Sequence, residues 1–278
     1  MHPTLLFSWL HSYGLMLAVG FYAGWWLAAR RGRQEGVDPD VVGNIVLISI
    51  VAGVAGSRLV WFWLLRDPRD PWWTLFKVWE GGLVFYGGLV GAVLANWLYL
   101  WWRKTPVWQM ADIVAPSVAL GQGFGRLGCF LNGCCYGGAC TEHFALGVPF
   151  PAFFGKSGAV TGSPVFLDHL TRRWVTDASA WSLAVHPTQL YAAMSLLTIA
   201  ALVVAATPYR RRRGELLAMV MMLNALSRLG IELVRRDAEA ELLGMTAGQL
   251  GALVILAAGI ALFTWARRRG QPAAPTPA

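Results

Sequence analysis

Seven long apolar runs recur along this 278-residue chain and leave it few ways to fold. Crossing a bilayer takes about 20 mainly apolar residues. Runs of that kind lie near residues 9–29, 43–65, 82–102, 111–131, 187–207, 215–235 and 246–266. In lipid the backbone must satisfy its own hydrogen bonds, so each run is predicted to be a helix. Composition agrees: 56% of the residues are hydrophobic and 14% charged, whereas soluble domains carry about 25% charged residues. The expected fold class is an all-α integral membrane protein with seven transmembrane helices. Residues 1–270 are expected to form one such domain, and residues 271–278 a disordered tail.

The formal net charge of +8 invites a nucleic-acid partner. The placement of the charge argues against one. Arg30, Arg31 and Arg33 follow the first run, Arg103 and Lys104 the third, Arg210 to Arg213 the fifth, and Arg267 to Arg269 the seventh. These are alternate loops, so one topology puts all four clusters in the cytoplasm, with the N-terminus outside and the C-terminus inside. Met1 to Ser12 has neither a basic n-region nor an A-x-A site, so the first run is expected to be a retained span. The same topology places 132–186 outside. Within it, 138–186 mixes Pro149, Pro151 and Pro164 with Phe144, Phe150, Phe153, Phe154 and Trp181. That mixture suits a small extracytoplasmic cap with short strands whose positions the sequence does not give.

The polar residues inside the runs carry the functional argument. Gly121 to Gly137 begins as a span and ends as a glycine-rich turn, with Arg126 in apolar surroundings and three of the four cysteines. A guanidinium at a span centre costs about 2.5–3.5 kcal/mol on insertion scales. An internal partner or an anionic ligand must offset that, and the expectation is a phospholipid phosphate. Asn224, Arg228 and Glu232 recur every four residues on one helix face. They form either a structural Arg228–Glu232 pair or a second cation facing Arg126. Arg58 in the second run either snorkels outward or pairs inside the bundle. Trp72, Trp73 and Lys77 suit a segment at the membrane interface. Gly87 and Gly91 form a G-x-x-x-G that serves close helix packing or opens room beside Tyr86. Asp112 suits a cap or packing role at the start of the fourth run, and His186-Pro-Thr reads as a helix start.

Gly123-Phe-Gly-Arg-Leu-Gly128 spells G-x-G-x-x-G, but no strand precedes it and no βαβ unit surrounds it, so a nucleotide site is rejected. Cys129, Cys134, Cys135 and Cys140 are open to reading as apolar filler, disulfides, reactive thiols or metal ligands. Their spacing is not a zinc-ribbon pattern. No cofactor and no metal is expected.

Taken together, these residues resemble the prolipoprotein diacylglyceryl transferase family over most of the chain. The resemblance rests on Tyr13-Gly-Leu-Met16, on Leu75 to Gly82 running into Gly87-Gly-Leu89, and on Asp112-Ile-Val-Ala-Pro116. It continues through Gly125-Arg-Leu-Gly128 with Phe130 and Asn132-Gly133, through His186-Pro-Thr-Gln-Leu-Tyr191, and through Arg228 with Glu232. The resemblance implies an enzyme of the bacterial inner membrane. It would transfer the diacylglyceryl group of phosphatidylglycerol to the lipobox cysteine of a prolipoprotein signal peptide, releasing glycerol phosphate. It implies catalytic roles for Tyr13, Arg126, Arg228 and Glu232, and Tyr86 is expected to add a catalytic hydrogen bond from the position where the family has another residue. It places Gly87, Gly88, Arg126, Cys129, Cys134 and Gly137 around the substrate, with membrane lipids as surroundings. Three positions depart from the family pattern: Tyr86 stands for a histidine, Cys129 for an asparagine and Cys134 for a glutamate. The departures leave a second expectation open, a paralogue that keeps the fold and lipid site but takes another acceptor, or works through its thiols.

Overall fold

A computed structural model describes residues 12–67, 69–140, 145–154, 160–235 and 244–273. Residues 9–11 of the first expected run, Phe144, and the tail from 274 onward lie outside the described residues. Every expected run forms a helix: α1 (Ser12–Gln34), α2 (Pro39–Leu64), α3 (Phe85–Trp102), α4 (Val107–Asn132), α6 (Thr188–Ala206), α7 (Glu215–Glu232) and α8 (Ala247–Arg269). A short helix, α5 (Pro164–Thr171), and one antiparallel hairpin, β1 (Ala152–Phe154) with β2 (Val160–Gly162), lie between α4 and α6. Among the described residues, three helices are long and apolar enough to cross a membrane: α2, α8, and α6 with the 3-10 turn that extends it to Tyr209. The chain divides into two compact units, one of residues up to Gly24 and from Val114 to Pro275, the other of Trp25–Ile113.

In the Trp25–Ile113 unit, α2 and α3 meet through glycines. A Cβ on Gly56 would strike the Gly87 carbonyl, and one on Gly91 would lie 2.6 Å from the Ala52 carbonyl. Backbone contact this close admits only small residues, so the packing sense of the G-x-x-x-G is what the structure carries. Arg58 does not snorkel. It is buried and donates to the carbonyls of Thr74, Leu75, Gly81 and Gly82, while its guanidinium lies 4.1 Å from the Trp61 ring centre. The tryptophan-rich loop folds into 3-10 turns around this side chain. Arg31 also departs from expectation: α1 continues past it, and it is buried, donating to the carbonyls of Asp112 (3.0 Å) and Ile113 (3.2 Å). Asp112 is buried within α4 rather than at its start.

In the other unit, small residues bring α1 onto α4. A Cβ on Gly20 would lie 3.0 Å from the Gly121 carbonyl oxygen, and one on Gly24 3.1 Å from that of Ser117. Ala115 and Ala119 of α4, Ile199, Ala200 and Val203 of α6, and Leu216 and Val220 of α7 form one apolar core. At one end of this unit, Glu215 pairs with Arg267 at 2.8 Å, and Arg212 donates to the Gly270 carbonyl at 2.9 Å. Order therefore continues beyond α8 into Gln271–Ala273, which bonds back to Arg211 and Arg213.

The stretch between α4 and α6 has its own small core of Phe150, Val165 and Val185. Ser163 caps α5 by accepting from the Phe166 N–H. Asp168 accepts from the Tyr136 hydroxyl at 2.5 Å and pairs with Arg172 at 2.9 Å. Burial pushes the Asp168 carboxyl up, but these two donors outweigh it and hold the group below its usual range. His169 is wholly buried beside Tyr136 and Trp174, and burial lowers its pKa.

Candidate active site

The glycine-rich end of α4 is where the site is built. The helix stops at Asn132, Gly133 takes a left-handed conformation (φ 72°), and the Cys134 N–H donates to the Cys129 carbonyl at 3.1 Å. This satisfies a carbonyl the helix end would otherwise leave unpaired. The start of α6 and the residues just before it fix Cys134, Cys135 and Gly137. Gln189 donates to the Cys134 carbonyl at 2.8 Å, and Thr188 to the Cys135 carbonyl at 3.0 Å. Gly137 donates to the His186 carbonyl at 3.0 Å, and a Cβ on it would lie 2.8 Å from Thr188 and 2.9 Å from His186. Only glycine fits there. The consequence is that Cys129, Cys134 and Cys135, all free thiols, bring their Sγ atoms within 4.8 Å of one another.

The second wall comes from α7. Asn224 donates to Gln122 of α4 at 3.4 Å, and the Gly138 N–H donates to the Val234 carbonyl at 3.3 Å. Two such links, a turn or more apart, set α4 and α7 side by side in the same direction. One turn beyond Gln122 is Arg126; one turn beyond Asn224 is Arg228. Arg228 pairs with Glu232 at 3.1 Å, with the arginine side chain 31% exposed and the carboxylate 2%. The carboxylate is sealed while the guanidinium still reaches out.

Two residues absent from the sequence reading hold Glu232. Thr246 donates to it at 2.8 Å, and Thr246 is also the N-cap of α8 in a capping box with Gln249. Gly248 leaves the space its oxygens fill. A carboxylate at a helix N-terminus also gains from the helix dipole. The Thr246-x-x-Gln249 spacing was a visible signal for this; Gly248 carried none.

Tyr13, Arg126, Cys129, Cys134, Gly137, Arg228 and Glu232 thus belong to one compact unit. Arg126 lies within electrostatic reach of both Tyr13 and Arg228. Among the described residues it makes no hydrogen bond or ion pair. Tyr13 packs beside Gly128, where a Cβ would come 3.1 Å from its ring. Tyr86, Gly87 and Gly88 belong to the other unit: Tyr86 is exposed and meets Phe85 edge-on, while both glycines face α2.

The description "prolipoprotein diacylglyceryl transferase" attaches to the family model that matches residues 4–265. The chain belongs to that family. Among similar proteins, the phosphatidylglycerol–prolipoprotein diacylglyceryl transferase of Chromohalobacter salexigens is 32% identical over 94% of this chain and 89% of its own. Its Xanthomonas oryzae pv. oryzae counterpart is 34% identical over 97% and 92%, and transferase 2 of Clostridium perfringens is 27% identical over 94% and 93%.

As a member of the prolipoprotein diacylglyceryl transferase family, this chain carries its departures unevenly. Cys129 and Cys134, two of the three positions where the resemblance expects another residue, fall in the sulphur cluster, whose Cys135 lies within electrostatic reach of Arg126; the third, Tyr86, lies on α3 beside Phe85. Arg126, Arg228 and Glu232 are kept together. Among the described residues, two guanidinium groups against one carboxylate leave a local surplus of positive charge, and arginine's planar fork matches phosphate oxygens.

Proposed function

We propose that this protein transfers the diacylglyceryl group of phosphatidylglycerol to the lipobox cysteine thiol of a prolipoprotein, with glycerol phosphate as the leaving group. One observation carries the reading. Arg126 and Arg228 project from parallel helices within reach of each other, and among the described residues the sealed carboxylate beside them, Glu232, pairs with Arg228. Such a pair is left to bind an anion. Displacement at a glyceryl carbon builds charge on the departing phosphate, and cations fixed in a dry site stabilise it without reorganising. Arg126 and Arg228 bind the phosphate, and Glu232 orients Arg228. Tyr13 offers its hydroxyl beside Arg126, and Gly137 lets 186–188 close over the site. Cys129 and Cys134 line it. Tyr86 is proposed to offer substrate a hydrogen bond in place of the family's histidine, with Gly87 and Gly88 beside it.

The seven long helices act as seven spans in the bacterial inner membrane, with the N-terminus outside and the C-terminus in the cytoplasm. Residues 138–186 form an extracytoplasmic cap, and the acceptor is a lipobox signal peptide. Purified protein given phosphatidylglycerol and a lipobox peptide should add one diacylglyceryl group to the peptide cysteine, read as a mass gain. No gain, while a family enzyme works alongside, overturns the reading.

A further inference from the structure

We propose that Cys129, Cys134 and Cys135 form a three-thiolate site for Zn2+, whose fourth position takes the acceptor thiol of the transfer reaction. The acceptor role rests on the transferase reading above; the metal site does not. The spacing C-x4-C-C matches no zinc ribbon, which is why no metal was expected from it. The fold supplies what the spacing lacks.

Zinc with Zn–S bonds of about 2.3 Å in a tetrahedron holds its sulphurs ~3.8 Å apart. The three Sγ atoms already lie within 4.8 Å of one another, so side-chain rotation closes the difference. Their backbone is held in place beforehand by three hydrogen bonds, from Cys134 to Cys129 and from Gln189 and Thr188 to the carbonyls of Cys134 and Cys135. Cys135 is exposed and the other two are half-buried, so an ion can reach the cluster. Pairing into disulfides would always leave an odd thiol among three. Zn2+ with three thiolates carries one negative charge, and Arg126 and Arg235 lie within electrostatic reach of Cys135 to balance it.

Three protein ligands and one open position is the arrangement of catalytic rather than structural zinc. The chemistry needs such a group here, because thiol alkylation requires a thiolate, and Tyr86, where the family carries histidine, is a poor base at neutral pH. Each of the three cysteines and the acceptor thiol gives up a proton to solvent on binding Zn2+. The acceptor sulphur then forms the S–C bond to the glyceryl carbon as the C–O bond to phosphate breaks. Glycerol phosphate leaves with the electron pair, and no oxidant or reductant is used.

A free thiol of pKa about 8.5 is only ~3% thiolate at pH 7, so metal binding raises the reactive form about 30-fold. Lower intrinsic nucleophilicity offsets some of that gain. The test uses the full-length protein, reduced and then exposed to Zn2+ or Co2+. One metal ion per chain by elemental analysis, and a thiolate-to-cobalt charge-transfer band, are expected in wild type and in Cys140→Ser. Both should be lost in Cys129→Ser, Cys134→Ser and Cys135→Ser. Chelation should lower lipid transfer about tenfold or more, with Zn2+ restoring it and Mg2+ not. A reduced wild-type chain that binds no metal, a disulfide among the three cysteines in the protein as isolated, or full transfer by metal-free protein overturns the proposal. Stoichiometric zinc with no transfer under any condition leaves the site standing and sinks the transferase reading instead.

Discussion

Replacing Gly248 by alanine should separate the two effects that usually confound a mutation near an active site. The new Cβ would lie 2.7 Å from Oε1 and 2.8 Å from Oε2 of Glu232. Carbon–oxygen contacts settle at about 3.3–3.6 Å, so the carboxylate must retreat by roughly 0.6 Å or more. Retreat breaks the Thr246–Glu232 hydrogen bond of 2.8 Å and slackens the 3.1 Å pair with Arg228. A hydrogen bond to a charged group contributes about 1.5–3 kcal/mol. At about 1.36 kcal/mol per tenfold in rate, kcat/KM for diacylglyceryl transfer should fall roughly 10- to 150-fold. Helix propensity works in the opposite direction, since alanine is favoured over glycine by up to about 1 kcal/mol. The variant should therefore lose activity without losing α8. Gly251→Ala is the control: it makes the same change on the same helix, with nothing within 4 Å of the new Cβ. The assay is peptide mass gain from phosphatidylglycerol, with thermal unfolding in detergent run alongside. Wild-type transfer by Gly248→Ala, or equal loss in Gly251→Ala, would refute the claim that Glu232 positions Arg228.

Other outcomes rest on the same geometry. Arg126→Lys keeps the charge but loses the planar fork, and kcat should drop by about 100- to 1000-fold, with unfolding temperature unchanged. Gly87→Ala puts a Cβ 2.5 Å from the Gly56 carbonyl and 2.6 Å from Val60, an overpacking that should cost about 1–3 kcal/mol, read by thermal unfolding. The stretch between α4 and α6 should loosen in acid. Burial lowers the pKa of His169, Asp168 opposes that and Arg172 adds to it. The folded state thus binds fewer protons, and its stability is full above the ordinary histidine value of 6.5 and declines as pH falls below it. Amide exchange around Phe150 and Val165 should speed up at about pH 5.5 relative to about pH 7.5, and His169→Phe should remove that dependence.

The helices were legible because the apolar runs need no tertiary information: length and hydropathy fixed α2, α6 and α8 outright. What sequence could not resolve were choices settled by distant backbone. Arg58 had two fates, and carbonyls 16 to 24 residues later decided between them. Arg31 looked like a loop charge because the end of α1 is set by the burial of that side chain against α4, not by its own polarity. The paired strands Ala152–Phe154 and Val160–Gly162 are three residues each, too short for any period to place them. In the site, the four-residue step from Arg228 to Glu232 was readable, as was Arg126 standing alone. The grip of Thr246 and Gly248 on that carboxylate was not, because it spans a loop. Nor was the meeting of three sulphurs, which depends on how α6 pins the turn after Asn132.

The seam between α1 and α4 has a consequence for traffic. Gly20 rides against Gly121, Gly24 against Ser117, and Tyr13 against Gly128, so a single methyl group would collide or crowd at each crossing. No acyl tail can wedge between backbones seated so tightly. If Arg126 holds the phosphate as proposed, a two-tailed substrate finds that side door shut, and it would enter, and its spent product leave, along a flank where the helices do not lock.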